Sequence, residues 1–210
     1  SIGGAAAPLL GLAVDLGTTK IAGYLVDLET GSTLAARGRM NPQIAYGEDV
    51  VSRISRATRS ADEAARMQSL AVGAVNEMVE DLCEATGTHP MEIAEAVVVG
   101  NTAMHHLFLA LPVAQLALAP YIPAVARALD VKARDAGLGL ACGAMVHLLP
   151  NVAGYVGADH VAVLLATGMA QAEGTVLALD IGTNTEVCLA HDGGLTTTSV
   201  ASGPAFEGAH

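Results

Sequence analysis

Asp15-Leu16-Gly17-Thr18-Thr19-Lys20 and Asp180-Ile181-Gly182-Thr183-Asn184-Thr185-Glu186 are the two segments of this chain whose residue types could do chemistry together. Each follows an apolar run, Ala13-Val14 or Ala178-Leu179, reaches a carboxylate, turns at a Gly-Thr pair and enters a second run. A strand would deliver Asp15 or Asp180 to a fixed point at its carboxyl end. Gly17 and Gly182 let the backbone turn tightly and present N–H groups to an anion. The hydroxyls of Thr18, Thr19 and Thr183 add short donors, and Lys20 could supply a positive charge. Two carboxylates beside a phosphate chain repel it unless a cation stands between them, and Mg²⁺, held largely through its own waters, suits that place. One Asp-Leu-Gly-Thr stretch alone also reads as an ordinary hairpin turn. Its recurrence near both ends of the chain suggests two facing hairpins that grip one polyphosphate.

The elements that must position these turns are legible in the hydrophobic periodicity. Strands are expected at 10–15, 20–27 and 33–40, so the first turn joins the first two strands of a β-meander. A loop at 41–49 is punctuated by Pro42 and Gly47, and Asp49 can cap a helix carrying Arg53 and Arg56. The arginines read as a solvated helix face, with a docking surface or a contact near the cleft as the functional option. Met67, Leu70, Ala71, Ala74, Val75, Met78 and Leu82 recur at helical spacing and predict a long helix over 62–86, closed at Gly87, with the methionines in the core.

A buried strand at 95–100 runs into Asn101 or Thr102 as the cap of a further helix. A polar cap at the carboxyl end of a strand is where α/β proteins place ligands, so both residues join the cofactor-binding candidates. His105 and His106 fall on different sides of that helix and read as structural histidines. Residues 111–149 are broken by Pro112, Pro120 and Pro123 and read as an irregular connection with short helices. A helix follows Asn151–Asp159 to about Thr167, with Asp159 at its end or in solvent. Strands at 175–180, 185–191 and 194–200, with Asp192-Gly193 as a hairpin turn, repeat the meander. The chain's last ten residues, 201–210, read as a loop.

Composition narrows the function classes. The 210 residues are 52% hydrophobic but only 3% aromatic, without Trp, so the core is built from Ala, Val and Leu. A net charge of −11 argues against a nucleic-acid or anionic-membrane surface. Cys83, Cys142 and Cys188 are odd in number, with no CxxC, which argues against a zinc site, an iron–sulfur cluster or a disulfide framework. They read as buried free thiols of a reducing cytoplasm. No apolar run is long enough to span a membrane, and the small apolar start lacks the basic residues of a signal peptide.

The paired turns resemble the phosphate-1 and phosphate-2 motifs of the acetate and sugar kinase, heat-shock chaperone and actin superfamily, and 151–167 resembles its first connecting helix. Four further segments resemble the reductive activators of corrinoid proteins: Asn41-Pro42-Gln43 through Gly47-Glu48-Asp49-Val50-Val51-Ser52-Arg53-Ile54; Val99-Gly100-Asn101-Thr102-Ala103-Met104; Gly154-Tyr155-Val156-Gly157-Ala158-Asp159; and Ser202-Gly203-Pro204-Ala205-Phe206-Glu207-Gly208. The resemblance covers about residues 10–210. It implies an α/β, ribonuclease H-like or actin-like ATPase fold, a mixed sheet with helices whose second repeat is incomplete. The implied division is a linker end at 1–9, a first actin-like subdomain at 10–168 and the start of a second at 169–210.

Such activators return cobalt(II) corrinoid to cobalt(I) for methyl transfer. The resemblance implies ATP and Mg²⁺ as cofactors and a corrinoid protein of a methyltransferase or demethylase system as partner. It also implies an iron–sulfur cluster in an N-terminal ferredoxin-like domain that this segment lacks. A second copy of the chain is a further candidate partner. By matching positions, Asp15, Gly17, Thr18, Thr19, Asp180, Gly182, Thr183 and Asn184 would contact Mg²⁺ and phosphates, and Asp180 could orient the attacking water. Thr185 departs from the family's glycine, and the glycine-rich adenosine motif is not reached. The expectation is a fragment carrying the phosphate and Mg²⁺ side of the ATPase, inactive alone. A small-molecule kinase of the same superfamily, a nucleotide-gated scaffold and an activator of a radical dehydratase are the competing readings.

Overall fold

In Leu10–Leu16 (β1) the side chains of Leu10, Leu12, Val14 and Leu16 are buried, while Ala13 is half-buried and Asp15 exposed on the opposite face. This period of two makes the segment a strand with one fully covered face. A computed structural model describes residues 9–202. The expected loop from 203 onward, and the expected linker end up to residue 8, lie outside the described residues.

β1 pairs antiparallel with β2 (Lys20–Asp27), and β2 with β3 (Thr33–Met40), so the first meander is as expected. The chain then crosses over through α1 (Val50–Ala57) and α2 (Ala61–Thr86) to β4 (Ile93–Val99), which lies parallel to β1. Asp49 caps α1 by accepting from the Ser52 N–H at 2.7 Å. Ser60 caps α2, with Asp62 and Glu63 in the first turn where the helix dipole favours negative charge. The apolar stripe of α2, including Met67, Ala71, Val75, Met78 and Leu82, packs with Leu12, Val14, Leu25 and Val98 of the sheet in one core. The methionines are core, as their spacing predicts.

Residues 111–149 differ from expectation. They contain β5 (Leu129–Lys132), α4 (Ala133–Ala136) and β6 (Met145–Leu148), after α3 (Thr102–Phe108) has left the end of β4. β6 joins β4 in parallel and β5 closes the edge, completing the sheet order β3-β2-β1-β4-β6-β5. Each of these strands has four residues. That is too short for alternation to announce itself, and pairings such as Val98↔Leu148 fix them instead.

α5 (Ala158–Ala166) approaches the other face of the sheet, where Ala13, Asp15, Val97 and Val99 line a groove together with Ala162. The chain continues into a separate antiparallel sheet, β7 (Val176–Ile181), β8 (Asn184–His191) and β9 (Gly194–Ala201). Asp192 and Gly193, both at positive φ, make its second turn. Cys83 and Cys188 are buried as expected, whereas Cys142 is exposed on a surface turn, a correction to the uniform buried reading. Among the described residues no helix is long and apolar enough to cross a membrane.

Candidate functional site

The first turn is held from three sides. A Cβ on Gly17 would stand 2.4 Å from the Lys20 carbonyl oxygen, so the turn closes only around a glycine. The backbone N–H of Asn41 donates to the Thr19 carbonyl at 2.8 Å, and Asn41 Nδ2 donates to the Gly17 carbonyl at 2.9 Å. From the far end of β4, Asn101 Nδ2 donates to Thr18 Oγ1 at 2.9 Å, while Asn101 Oδ1 accepts the Met104 N–H and so caps α3. Asn41 and Asn101 thus clasp the turn by its carbonyls and a threonine hydroxyl. Lys20 is exposed and shares the Asp15 face of the hairpin, by the pairing Asp15↔Ala22 and the alternation along β2.

The N-terminus of α5 closes on the same point. A Cβ on Gly157 would lie 2.4 Å from the Asn101 Cα, so this helix can seat itself here only through a glycine. The N–H groups of Ala158 and Asp159 both donate to the Gly100 carbonyl, at 3.0 and 3.3 Å. Asp159 then sits in the first turn, its carboxylate accepting the His160 N–H at 2.8 Å. Burial pushes the Asp159 carboxyl up to about 7; the His160 hydrogen bond opposes this, and the negative charges of Glu186, Asp15 and Asp180 add to it. Burial likewise raises Glu186, against a 2.8 Å hydrogen bond from the Ser199 hydroxyl and with the help of Asp180. Carboxylates from β1, α5, β7 and β8 therefore share one electrostatic neighbourhood.

The second turn meets the first directly. The Thr19 and Thr183 hydroxyls are 3.2 Å apart. Gly182 N–H donates to the Asn184 carbonyl, which closes the second turn. His160 is fully buried, with Nε2 at 2.9 Å from Thr197 Oγ1 of β9. Because the Thr197 hydroxyl donates to the Val187 carbonyl, the imidazole Nε2–H is the donor here. Burial lowers His160 and the Asp180 charge raises it. Beside the joined turns lies a cleft of about 490 Å³ lined by Thr19, Met40, Ile44, Glu48, Asp49, Thr183, Asn184 and Ala201.

The structure thus brings Asp15, Thr18, Thr19, Asp180, Thr183 and Asn184 to one junction between the sheets. Thr102, expected at the cofactor, is instead wholly buried, and its hydroxyl donates to the Ala153 carbonyl at 2.6 Å. His106 anchors a loop, with Nδ1 at 2.7 Å from the Thr102 carbonyl and Nε2 accepting from the Val125 N–H. His105 is buried with neither ring nitrogen partnered among the described residues. Arg53 is not on a solvated face: it has no exposed surface, a correction that follows from the hydrogen-bond acceptors gathered around it. Arg56, half-exposed, pairs with Glu63 at 2.7 Å.

Sequence reasoning missed Asp159, which it assigned to solvent or a helix end, and Glu186. The signal for Asp159 was the small pair directly before it, Gly157-Ala158, which permits close seating. The signal for Glu186 was its alternation with Cys188 and Ala190 on the buried side of β8.

Comparison with known proteins gives a consistent picture. Residues 10–172 match the family described as the RACo middle region, and residues 174–210 match the C-terminal domain of RACo, the ASKHA domain. The chain is 35% identical over 202 residues to the corrinoid activation enzyme RamQ of Eubacterium limosum, covering 96% of this chain and 34% of that protein. A solved structure of a reductive activator for corrinoid, iron–sulfur protein superposes with a TM-score of 0.94 at 40% identity, covering 99% of this chain and 33% of the other. The chain spans about a third of the length of these relatives.

Proposed function

The chain belongs to the RACo family of corrinoid reductive activators, with their actin-like fold, and from that premise we propose that it supplies the polyphosphate and Mg²⁺ side of an ATPase that drives corrinoid reduction. The observation that carries this reading is the junction itself. Two Asp-Gly-Thr turns from separate sheets touch through Thr19 and Thr183, with Asp15, Asp180, Asp159 and Glu186 around them.

Asp15 and Asp180 suit a hard cation held through its own waters; among the described residues no three His, Cys, Asp or Glu side chains gather closely enough to ligate a metal directly. Burial, and after it the negative charges of Glu186, Asp15 and Asp180, raises Asp159 to about 7, and a cation would relieve the second of these. Bound Mg²⁺ would neutralise phosphate charge and would be held by Asp15 and Asp180 through water. The turn amides and the Thr18, Thr19 and Thr183 hydroxyls would bind the phosphate oxygens. Gly17, Gly182 and Asn184 would shape the two turns, Asn101 would orient Thr18, and Lys20 would add charge at the rim. Asp180 would orient the attacking water, and Asp159, which titrates near neutrality, is suited to take its proton. In the longer protein this hydrolysis would be coupled to the reduction of cobalt(II) to cobalt(I) in a partner corrinoid protein, with the electron arriving from an iron–sulfur domain outside this chain.

Mg-ATP titration by calorimetry, on this chain and on a version extended through the rest of the ATPase, tests the reading. Saturable binding by the extended protein that is lost in Asp15→Ala supports it. Absence of binding in both proteins would reduce the turns to structural hairpins and remove the ATPase assignment.

A further inference from the structure

A run of fully buried polar side chains leads away from the first turn. Asn41, already bonded to Gly17 and Thr19, accepts the Gln43 N–H on its Oδ1 at 3.0 Å. Gln43 Nε2 donates to the Met67 carbonyl of α2 at 2.9 Å, which leaves its Oε1 to accept from Arg53 Nη1 at 3.4 Å. Arg53 Nε donates to the Gly47 carbonyl at 2.8 Å, and Nη1 also reaches the Met104 thioether sulfur of α3 at 3.4 Å. Nη2 has no partner among the described residues. Asn41, Gln43 and Arg53 all have no exposed surface.

A buried guanidinium in this setting is costly. Asp49, whose negative charge offsets part of that cost, already accepts the Ser52 N–H and hydroxyl, at 2.7 and 3.0 Å. An apolar side chain of similar volume commonly serves a fold as well or better than a buried ion with an unsatisfied donor. Stability is therefore a weak reason for an arginine here. What the side chain does is join two pieces of backbone that face each other across the cleft. Through Gln43 and Asn41 it reaches the Gly17–Thr19 turn. Through Gly47 it fixes the loop whose next residues, Glu48 and Asp49, line the cleft with Thr19, Thr183 and Asn184. A lysine has the charge but not the planar fork that spans both acceptors.

We propose that Arg53 is a positioning residue, whose buried guanidinium holds the first phosphate turn and the facing 41–49 loop in one binding-ready shape at the expense of fold stability. This rests on the phosphate-site reading of the turns. Three measurements on Arg53→Met and Arg53→Lys test it: chemical denaturation, amide hydrogen exchange without ligand, and Mg-ATP calorimetry on the extended protein. The Met variant is expected to be as stable as the parent or more so. Its amides at 17–19, 41 and 47 are expected to exchange at least tenfold faster, and its Mg-ATP affinity to fall at least tenfold. The Lys variant is expected to recover part of the affinity but not the slow exchange.

Unchanged exchange at those amides in a folded Met variant overturns the proposal. If the Met variant does not fold, the Lys variant decides. Faster exchange confined to the turn and the loop supports positioning, whereas uniform acceleration across β1 and β4 marks an ordinary structural residue and overturns it. If the parent binds no Mg-ATP, the function reading falls, while the exchange data still decide the role of Arg53.

Discussion

Leu16 and Ile181 hold the same place in their hairpins, each directly before the turn glycine, yet Leu16 is 1% exposed and Ile181 62%. The first hairpin is made of two interior strands of a six-stranded sheet with α2 packed on one face and α5 approaching the other, and Asn41 and Asn101 reach its turn from elsewhere in the chain. The second hairpin belongs to a three-stranded sheet that leaves Leu177, Leu179 and Ile181 open. Near-identical local sequence therefore produces a tight turn in two very different mechanical settings, closed by the pair Leu16↔Ile21 in the first and Ile181↔Thr185 in the second. A Gly-Thr pair specifies the bend, while its stiffness comes from residues tens of positions away.

The largest break in this comparison should come from truncating the paired positions. Leu16→Ala should cost about 3 kcal/mol, the usual range for emptying a packed leucine site, while Ile181→Ala should stay within about 0.5 kcal/mol. Urea denaturation of both variants measures the difference, and equal effects would mean that the two hairpins are equally supported.

A pH series is next in size and separates the two regions by chemistry. Burial lowers His105 from its ordinary 6.5 to about 4, with the neighbouring His106 adding to the effect. The unfolded chain then binds a proton that the native core refuses. The stability this gives is complete above pH 6.5 and is lost as pH falls from 6.5 toward 4, by about 3 kcal/mol in all. In His105→Leu this part of the acid dependence should vanish, and neutral stability should hold or rise, because both ring nitrogens lack partners among the described residues. The same acid sensitivity in His105→Leu would place the titrating group elsewhere.

The smallest effect concerns the contact between the turns. Thr183→Val should cost about 1 kcal/mol or less, the net value of one hydrogen bond. It should speed amide exchange in β7–β9 and leave β1 and β4 unchanged. Equal acceleration in both sheets would show that they open together.

Much of this arrangement is legible in the sequence. Both turns, both meanders, the Asp49 cap and the stripe of α2 follow from period and punctuation, which are local signals. β5 and β6 were not legible, because four-residue strands are defined by the neighbour they pair with. Arg53 was misread for a related reason. A charged residue on a short helix looks solvated until one knows that the Gly47 carbonyl, Gln43 and Met104 converge on it. At the site, the carboxylates delivered by strands were visible, whereas Asp159 became significant only once Gly157 let α5 press against Asn101.

The hydroxyl pair Thr19–Thr183 ties the two hairpin turns together, and the His160–Thr197 bond ties α5, seated on the first sheet, to the second sheet. At about 1 kcal/mol each, the two ties contribute roughly 2 kcal/mol against separation, a factor of about thirty, in addition to the apolar packing of Leu164 and Ala172 on Met169, Cys188 and Ala190. A ligand that needs the sheets parted would bind at least about thirtyfold more weakly than its contacts alone allow. The two ties would then act as a threshold: weak anions would be turned away, and only a ligand able to grip both turns at once would hold the gap open.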